Sequence, residues 1–271
     1  VTGRILVGAD GSGPSRQAVT WAGRRARETG ETIILVGVQD GRHPDLLAEL
    51  ETESEALRRN APTAQVETLV LSGDPMTRLA SEAGADDMVV IGTHKTGFIR
   101  GRVFGSSGLR LAALTHATVV VMPSSSGGAR SGIVVGVRDS LASVAALDFA
   151  GREARRTSEM LTVIAVDDET AVDIARDYLR AEFPDLASFI RLLRHHPAER
   201  LVEAAERASL TVLGSTPADE GPRVLGPVVH DVLLNITGPT ALVRPAPTLG
   251  THARAGSDRV VAHHLGEGGQ P

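Results

Sequence analysis

The chain carries one segment twice. Residues 5 to 12 read Ile-Leu-Val-Gly-Ala-Asp-Gly-Ser, and residues 133 to 140 read Ile-Val-Val-Gly-Val-Arg-Asp-Ser. The series Ser15, Ala18, Trp21, Ala22, Ala26 returns 128 positions later as Ser143, Ala146, Phe149, Ala150, Ala154. Such spacings mark one face of one helix, used twice. Further along, Pro75 is answered by Pro197, Gly92 by Gly214 and Pro123 by Pro245, an offset of 122, so the second copy is six residues shorter in its middle. The 271 residues, 42% of them apolar, suffice for two cores of ordinary domain size. The expected division is a first domain over 1–123, a linker over 124–131, a second domain over 132–245 and a disordered tail over 246–271.

Within each half, short β-branched runs alternate with amphipathic stretches, the pattern of a parallel sheet flanked by helices. Strands are expected at 4–8, 32–38, 66–71, 88–92 and 118–122, with helices over 15–29, 44–60, 75–83 and 106–115. In the second half strands are expected at 133–137, 159–166, 187–193, 210–214 and 240–243. Asp74 followed by Pro75 suits a helix N-cap and first turn, and Pro44 and Pro197 fit similar places. The fold class is therefore α/β, as two tandem doubly wound domains. Each would hold a five-stranded, mostly parallel sheet with helices on both faces.

A formal charge of −5 gives no bulk attraction to nucleic acid or to an anionic membrane, so neither is expected as a partner. There is no cysteine, hence no disulfide framework or thiolate chemistry. No charged-then-apolar leader and no apolar run near the roughly 18 residues of a membrane span is visible. A cytoplasmic location is the resulting expectation.

Ligands of open α/β sheets sit beyond the carboxyl ends of the strands. In the first half that places Ala9, Asp10 and Val38 together with the loop 92–104, which leads from Gly92 through His94 and Lys95 to Gly105-Ser106-Ser107 and a helix. A glycine-rich loop bringing hydroxyl residues to a helix N-terminus can cradle phosphate, because free N–H groups and the helix dipole both favour anions. Lys95, the one lysine in the chain, lies beside it with Arg100 and Arg102. Each residue also has a plainer reading: Lys95 as a solvated loop residue, Asp10 as a turn former beside Gly11, Gly105-Ser106 as ordinary capping.

These residues resemble the universal stress protein family. The resemblance rests on Val7-Gly8-Ala9-Asp10-Gly11-Ser12, Gly73-Asp74-Pro75, Ile91-Gly92-Thr93-His94, Gly105-Ser106 and Val119-Val120-Val121-Met122-Pro123. It covers nearly the whole chain as two tandem domains of a Rossmann-like, adenine nucleotide alpha-hydrolase-like fold. Nucleotide-binding members carry a Gly, two residues, Gly, nine residues, then Gly-Ser or Gly-Thr. Gly92 and Gly105-Ser106 fit that pattern, and Lys95 stands at its middle glycine. The resemblance implies ATP or a related adenine nucleotide, with Mg2+ as an accompanying ion. Asp10 and the backbone near Ala9 and Val38 would hold the nucleoside; Gly92, His94, Lys95, Gly105, Ser106 and Ser107 would surround the phosphates. It also implies pairing of the two halves through Val119 to Met122 and Ala241 to Val243, and leaves room for a further homodimer.

The second half departs from this pattern. Arg138 replaces the aspartate, the loop after Gly214 carries Asp219 and Glu220, and Gly226-Pro227 replaces Gly105-Ser106. Proline removes a backbone donor where a phosphate needs one, so no nucleotide is expected there. His195-His196 lacks a third spaced ligand and reads as a solvated turn. Asp167-Asp168-Glu169 reads as the acidic start of a helix, and Trp21 as a core residue. Neither a Gly-x4-Gly-Lys loop nor a Gly-x-Ser-x-Gly elbow is present. Three readings remain: a nucleotide-binding stress-response regulator with an unnamed protein partner, a nucleotide-independent scaffold, and a slow ATP hydrolase.

Overall fold

The computed structural model describes residues 3–39, 45–93, 97–99, 102–104, 106–124, 129–215 and 225–245. The first half runs β1 (Ile5–Gly8), α1 (Gly13–Thr29), β2 (Ile33–Gln39), α2 (Leu46–Asn60), β3 (Val66–Ser72), α3 (Pro75–Glu82), β4 (Met88–Thr93), β5 (Gly97–Ile99), β6 (Arg102–Phe104), α4 (Ser106–Leu114) and β7 (Thr118–Pro123). The second runs β8 (Ile133–Val137), α5 (Leu141–Thr157), β9 (Leu161–Val166), α6 (Glu169–Glu182), β10 (Ser188–Leu193), α7 (Pro197–Ala205), β11 (Leu210–Gly214), α8 (Pro227–Asn235) and β12 (Thr240–Val243).

The two five-stranded sets join into one ten-stranded sheet, ordered β10-β9-β8-β11-β12-β7-β4-β1-β2-β3. Every neighbouring pair is parallel except β7 with β12, where Val121, Val120 and Val119 oppose Thr240, Ala241 and Leu242. These are the strands expected to pair the halves. In each half the strand order reverses direction beside the first strand, so the connections from β1 and from β4 leave to opposite faces and open a crevice at their carboxyl ends.

One apolar layer packs α1 and α2 residues such as Ala18, Ala22, Leu50 and Leu57 with α5 and α6 residues such as Ala146, Ala150, Ala175 and Leu179. The opposite layer holds Leu79 of α3 and Leu111 of α4 together with Leu201 of α7 and Leu233 of α8. Both layers run across the junction between halves, and Trp21 packs partly buried on the first.

Local chemistry explains the element ends. Ser12 caps α1 by accepting from the Ser15 N–H at 3.2 Å, so the helix starts at Gly13, two residues before the expected position. Asp74 caps α3, accepting from Thr77 N at 3.0 Å and Thr77 Oγ1 at 2.8 Å, and Arg110 of α4 bonds its other oxygen at 2.8 Å. Asp168 caps α6 through Ala171 N, with Glu169 in the first turn, which accounts for the acidic run. His195 and His196 form the turn before α7, both with positive φ, and His195 N donates to Asp167 Oδ2 at 2.9 Å.

Residues 97–104, read from sequence as an irregular loop, contain instead the antiparallel pair β5 and β6, with Phe98 opposite Val103. Aromatic and β-branched residues on either side of Arg100-Gly101 favour such a ribbon. The α2 helix begins at Leu46, and Pro44 lies outside the described residues. Of the linker, Ser124 bonds back to Thr93 O, and Arg130 donates to the carbonyls of Ala205, Glu206 and Thr237. The tail from 246 onward is outside the described residues.

Candidate functional site

Gly8, Ala9 and Asp10 at the end of β1, Val36 and Val38 of β2, and Ile91 and Gly92 of β4 line an open cleft of about 100 Å³, closed on its sides by Ser15 of α1 and by Pro75 and Leu79 of α3. The strand ends meet here because β1 lies between β2 and β4 in register, Gly8 opposite both Val36 and Ile91. Gly8 keeps the floor open: a Cβ there would come within 3.2 Å of Ile91 Cγ2 and Leu79 Cδ1.

Asp10 stands exposed at the rim, with its backbone N–H and its carboxylate each held by one hydrogen bond. Its N–H donates to Ser15 Oγ at 3.2 Å, and its Oδ1 accepts from the Ser12 N–H at 3.0 Å. The carboxylate thus serves the turn and keeps Oδ2 without a hydrogen-bond partner among the described residues. Two further carboxylates of α2 border this end. Glu49 Oε2 would sit 2.8 Å from a Cβ placed on Gly11, and Glu53 has an Oε1 that is buried without a partner among the described residues. Burial pushes the Glu53 carboxyl up, and Asp10 and Glu49 push it the same way against the pull of Arg16. An acidic rim repels phosphate and suits neutral hydroxyl donors.

Of the residues expected in the site, the structure brings Ala9, Asp10, Val38 and Gly92 to one cleft. Ser106 and Ser107 fall in the first turn of α4. His94, Lys95 and Gly105 lie outside the described residues. Gly92 has a second duty: a Cβ there would lie 2.2 Å from the Pro14 carbonyl carbon and 2.4 Å from Ser15 N. Gly214 meets α5 the same way, a Cβ falling 2.2 Å from Ala142 O. Strand and helix approach too closely for any side chain, so this glycine is required in both halves by packing. Sequence reasoning missed Ser15, Val36 and Leu79 as lining residues, although Ser15 had already appeared as a landmark of the repeat.

The corresponding end of the second half is built differently. Arg138 N donates to Ser143 Oγ at 3.0 Å, repeating the Asp10–Ser15 bond, while Asp139 N donates to Asp168 Oδ2 at 2.8 Å. A Cβ on Gly136 would meet Leu201 Cδ2 at 2.8 Å. The α8 helix opens at Pro227 with Gly226 before it and no side-chain cap.

A sequence profile of the universal stress protein family matches residues 2–123. Relatives bearing the same description extend over both halves. One from Mycolicibacterium smegmatis is 27% identical across 89% of this chain and 97% of its own. Another from Mycobacterium tuberculosis is 26% identical across 89% and 96%. The first half of this chain is a universal stress protein domain. The fold agrees: the structure of a universal stress protein from Archaeoglobus fulgidus superposes with a TM-score of 0.68 at 16% identity, over 90% of this chain and 99% of that one. The cytoplasmic domain of a prokaryotic cation chloride cotransporter shares the fold as well, with a TM-score of 0.56 at 11% identity over 91% and 97%. Membership is carried by sequence, since fold alone spans unrelated functions. Among the described residues, no helix is long and apolar enough to cross a membrane, and no group of three or more acidic, histidine or cysteine residues is placed to hold a metal ion.

Proposed function

We propose that this protein binds one adenine nucleotide per chain, ATP or a close relative, in the first-half cleft, and that occupancy biases the protein between two states in a stress response. The observation that carries the reading is the asymmetry between the halves at equivalent strand ends. The first presents a carboxylate with one oxygen that has no hydrogen-bond partner among the described residues, an open cleft walled by Val36, Val38, Leu79 and Ile91, and a helix opening on Ser106-Ser107. The second presents Arg138 and a helix opening on Pro227.

The described residues fit the nucleoside end of such a ligand. The cleft supplies apolar walls for a base, and Asp10 supplies an acceptor for ribose hydroxyls. Charge then sets the direction: the phosphates face away from Asp10, Glu49 and Glu53, toward the N-terminus of α4. His94, Lys95 and Gly105 complete that end in this reading, with Mg2+ as counter-ion on the phosphates.

The scaffold reading draws on one specific observation, the packing role that Gly92 shares with Gly214. The two separate cleanly. Protein purified without added nucleotide, then denatured, releases close to one adenine nucleotide per chain, or takes up one on incubation with Mg-ATP, as identified by mass spectrometry and absorbance. No nucleotide released and none taken up would leave the scaffold.

A further inference from the structure

Helices α1 and α5 are copies of one helix, and Arg25 of α1 occupies the position that Glu153 occupies in α5, 128 residues on. Glu28 and Arg156 are equivalent in the same way. Across the junction of the halves these equivalent positions face each other: Arg25 Nη1 bonds Glu153 Oε1, and Arg156 Nη1 bonds Glu28 Oε2. Positions that meet their own equivalents lie around a two-fold axis. The Arg25–Glu153 pair is well shielded, with Glu153 only 3% exposed, whereas Glu28 in the second pair is exposed. Within the contact, Arg156 Nη2 also bonds Glu153 Oε2 at 2.8 Å, Arg25 Nε bonds Glu31 at 2.8 Å, and the Arg25 guanidinium lies 5.8 Å from the centroid of the Phe149 ring.

The strand ladder beside these helices cannot tell one half from the other. Val119-Val120-Val121 and Ala241-Leu242-Val243 are both short, apolar and buried, and backbone pairing is indifferent to which copy supplies the partner. Two first halves could form the same ladder. In doing so they would set Arg25 against Arg25 and Glu28 against Glu28, whereas two second halves would oppose Glu153 to Glu153 and Arg156 to Arg156. Like charges held together away from water are strongly unfavourable. We propose that the sign pattern Arg25/Glu28 against Glu153/Arg156 is the specificity element that directs each half to the unlike half and disfavours pairing between like halves of separate copies. Duplication makes this available, because a homodimer has one sequence on both sides of its axis and cannot carry opposite charges at one axial position. The inference stands independently of any nucleotide.

The full chain tests it. R25E/E28R gives both halves the same sign pattern, and so reproduces inside one molecule the contact that a like pair would have. Its thermal midpoint is expected to fall by on the order of 5–10 °C, and the mirror variant E153R/R156E to fall similarly. The fourfold variant R25E/E28R/E153R/R156E restores unlike signs across the junction and is expected to melt clearly above both doubles, while staying below the parent because R25E also loses the Arg25–Glu31 bond. Either double variant melting within about 2 °C of the parent, or a fourfold variant no more stable than the doubles, would overturn the proposal.

Discussion

Asp10 and Arg138 occupy equivalent places at the ends of β1 and β8, and each donates its N–H to the matching serine, Ser15 or Ser143. The backbone is therefore kept while the charge is reversed, which is the pattern expected when a turn is needed twice and a carboxylate once. Asp10→Asn retains an acceptor for the Ser12 N–H and should leave stability within about 0.5 kcal/mol, while lowering adenine-nucleotide affinity by about tenfold or more. Calorimetric titration beside urea unfolding checks both halves of that statement. At Gly92 the expectation is reversed. Gly92→Ala and Gly214→Ala should each cost about 2–3 kcal/mol in urea unfolding, because each drives a Cβ into the start of a helix. A Gly92→Ala variant of unchanged stability would show that the packing argument is wrong there. The lining of the first-half cleft was legible from sequence where it depends on strand ends, as at Ala9, Asp10 and Val38. It was not legible at Val36 or Leu79, whose apolar side chains read the same whether they fill a core or wall a cleft.

Element by element, the start of β4 is tied to β1 by a buried carboxylate. Asp87 accepts from Arg4 N at 2.9 Å, Arg4 Nη2 at 2.6 Å and Gly84 N at 2.8 Å. Burial works to raise the Asp87 carboxyl, but the hydrogen bonds and charge of Arg4 with the Gly84 N–H outweigh it, holding the group below the usual carboxylate range. A depressed folded value means that the unfolded chain binds protons first. The stabilisation is thus complete above the unfolded value near pH 4 and drains away as pH falls through the lower folded value. Asp87→Ala should cost about 3 kcal/mol at neutral pH, and the gap between variant and parent should narrow on acid titration below about pH 4. A gap that stays constant from pH 7 to pH 3 would contradict this account. The second half makes the equivalent tie with a serine in place of the aspartate: Ser209 N donates to Gly132 O at 2.9 Å, and its hydroxyl lies within reach of Gly132 O, at 3.0 Å, and of the Glu159 carboxylate. Strands β8, β11 and β12 were readable to the residue, since apolar runs bounded by glycine and proline leave little choice. The β5–β6 ribbon was not, because three-residue strands give too short an alternation to show a period.

For the molecule as a whole, duplication was plain in the sequence, whereas the merging of two sheets into one was implied only by the family resemblance. The antiparallel β7–β12 pair puts Val120 and Ala241 opposite each other, both fully buried, and carries the two apolar layers unbroken through the junction. Such continuity predicts one cooperative thermal transition, with calorimetric and van't Hoff enthalpies in agreement. Two resolved transitions would mean that the halves are energetically separate. In the proposed reading the lost symmetry has two places with different consequences: at the junction it selects the partner, and at the strand ends it leaves one half to a nucleotide.

The most direct test of that last claim is a titration of nucleotide-free protein with Mg-ATP, run in parallel on Asp10→Ala and Arg138→Ala. The account predicts one site per chain in the parent, none in Asp10→Ala, and one in Arg138→Ala with the parent's affinity. Two sites per chain, no binding by the parent, or loss of binding in Arg138→Ala alone would contradict it.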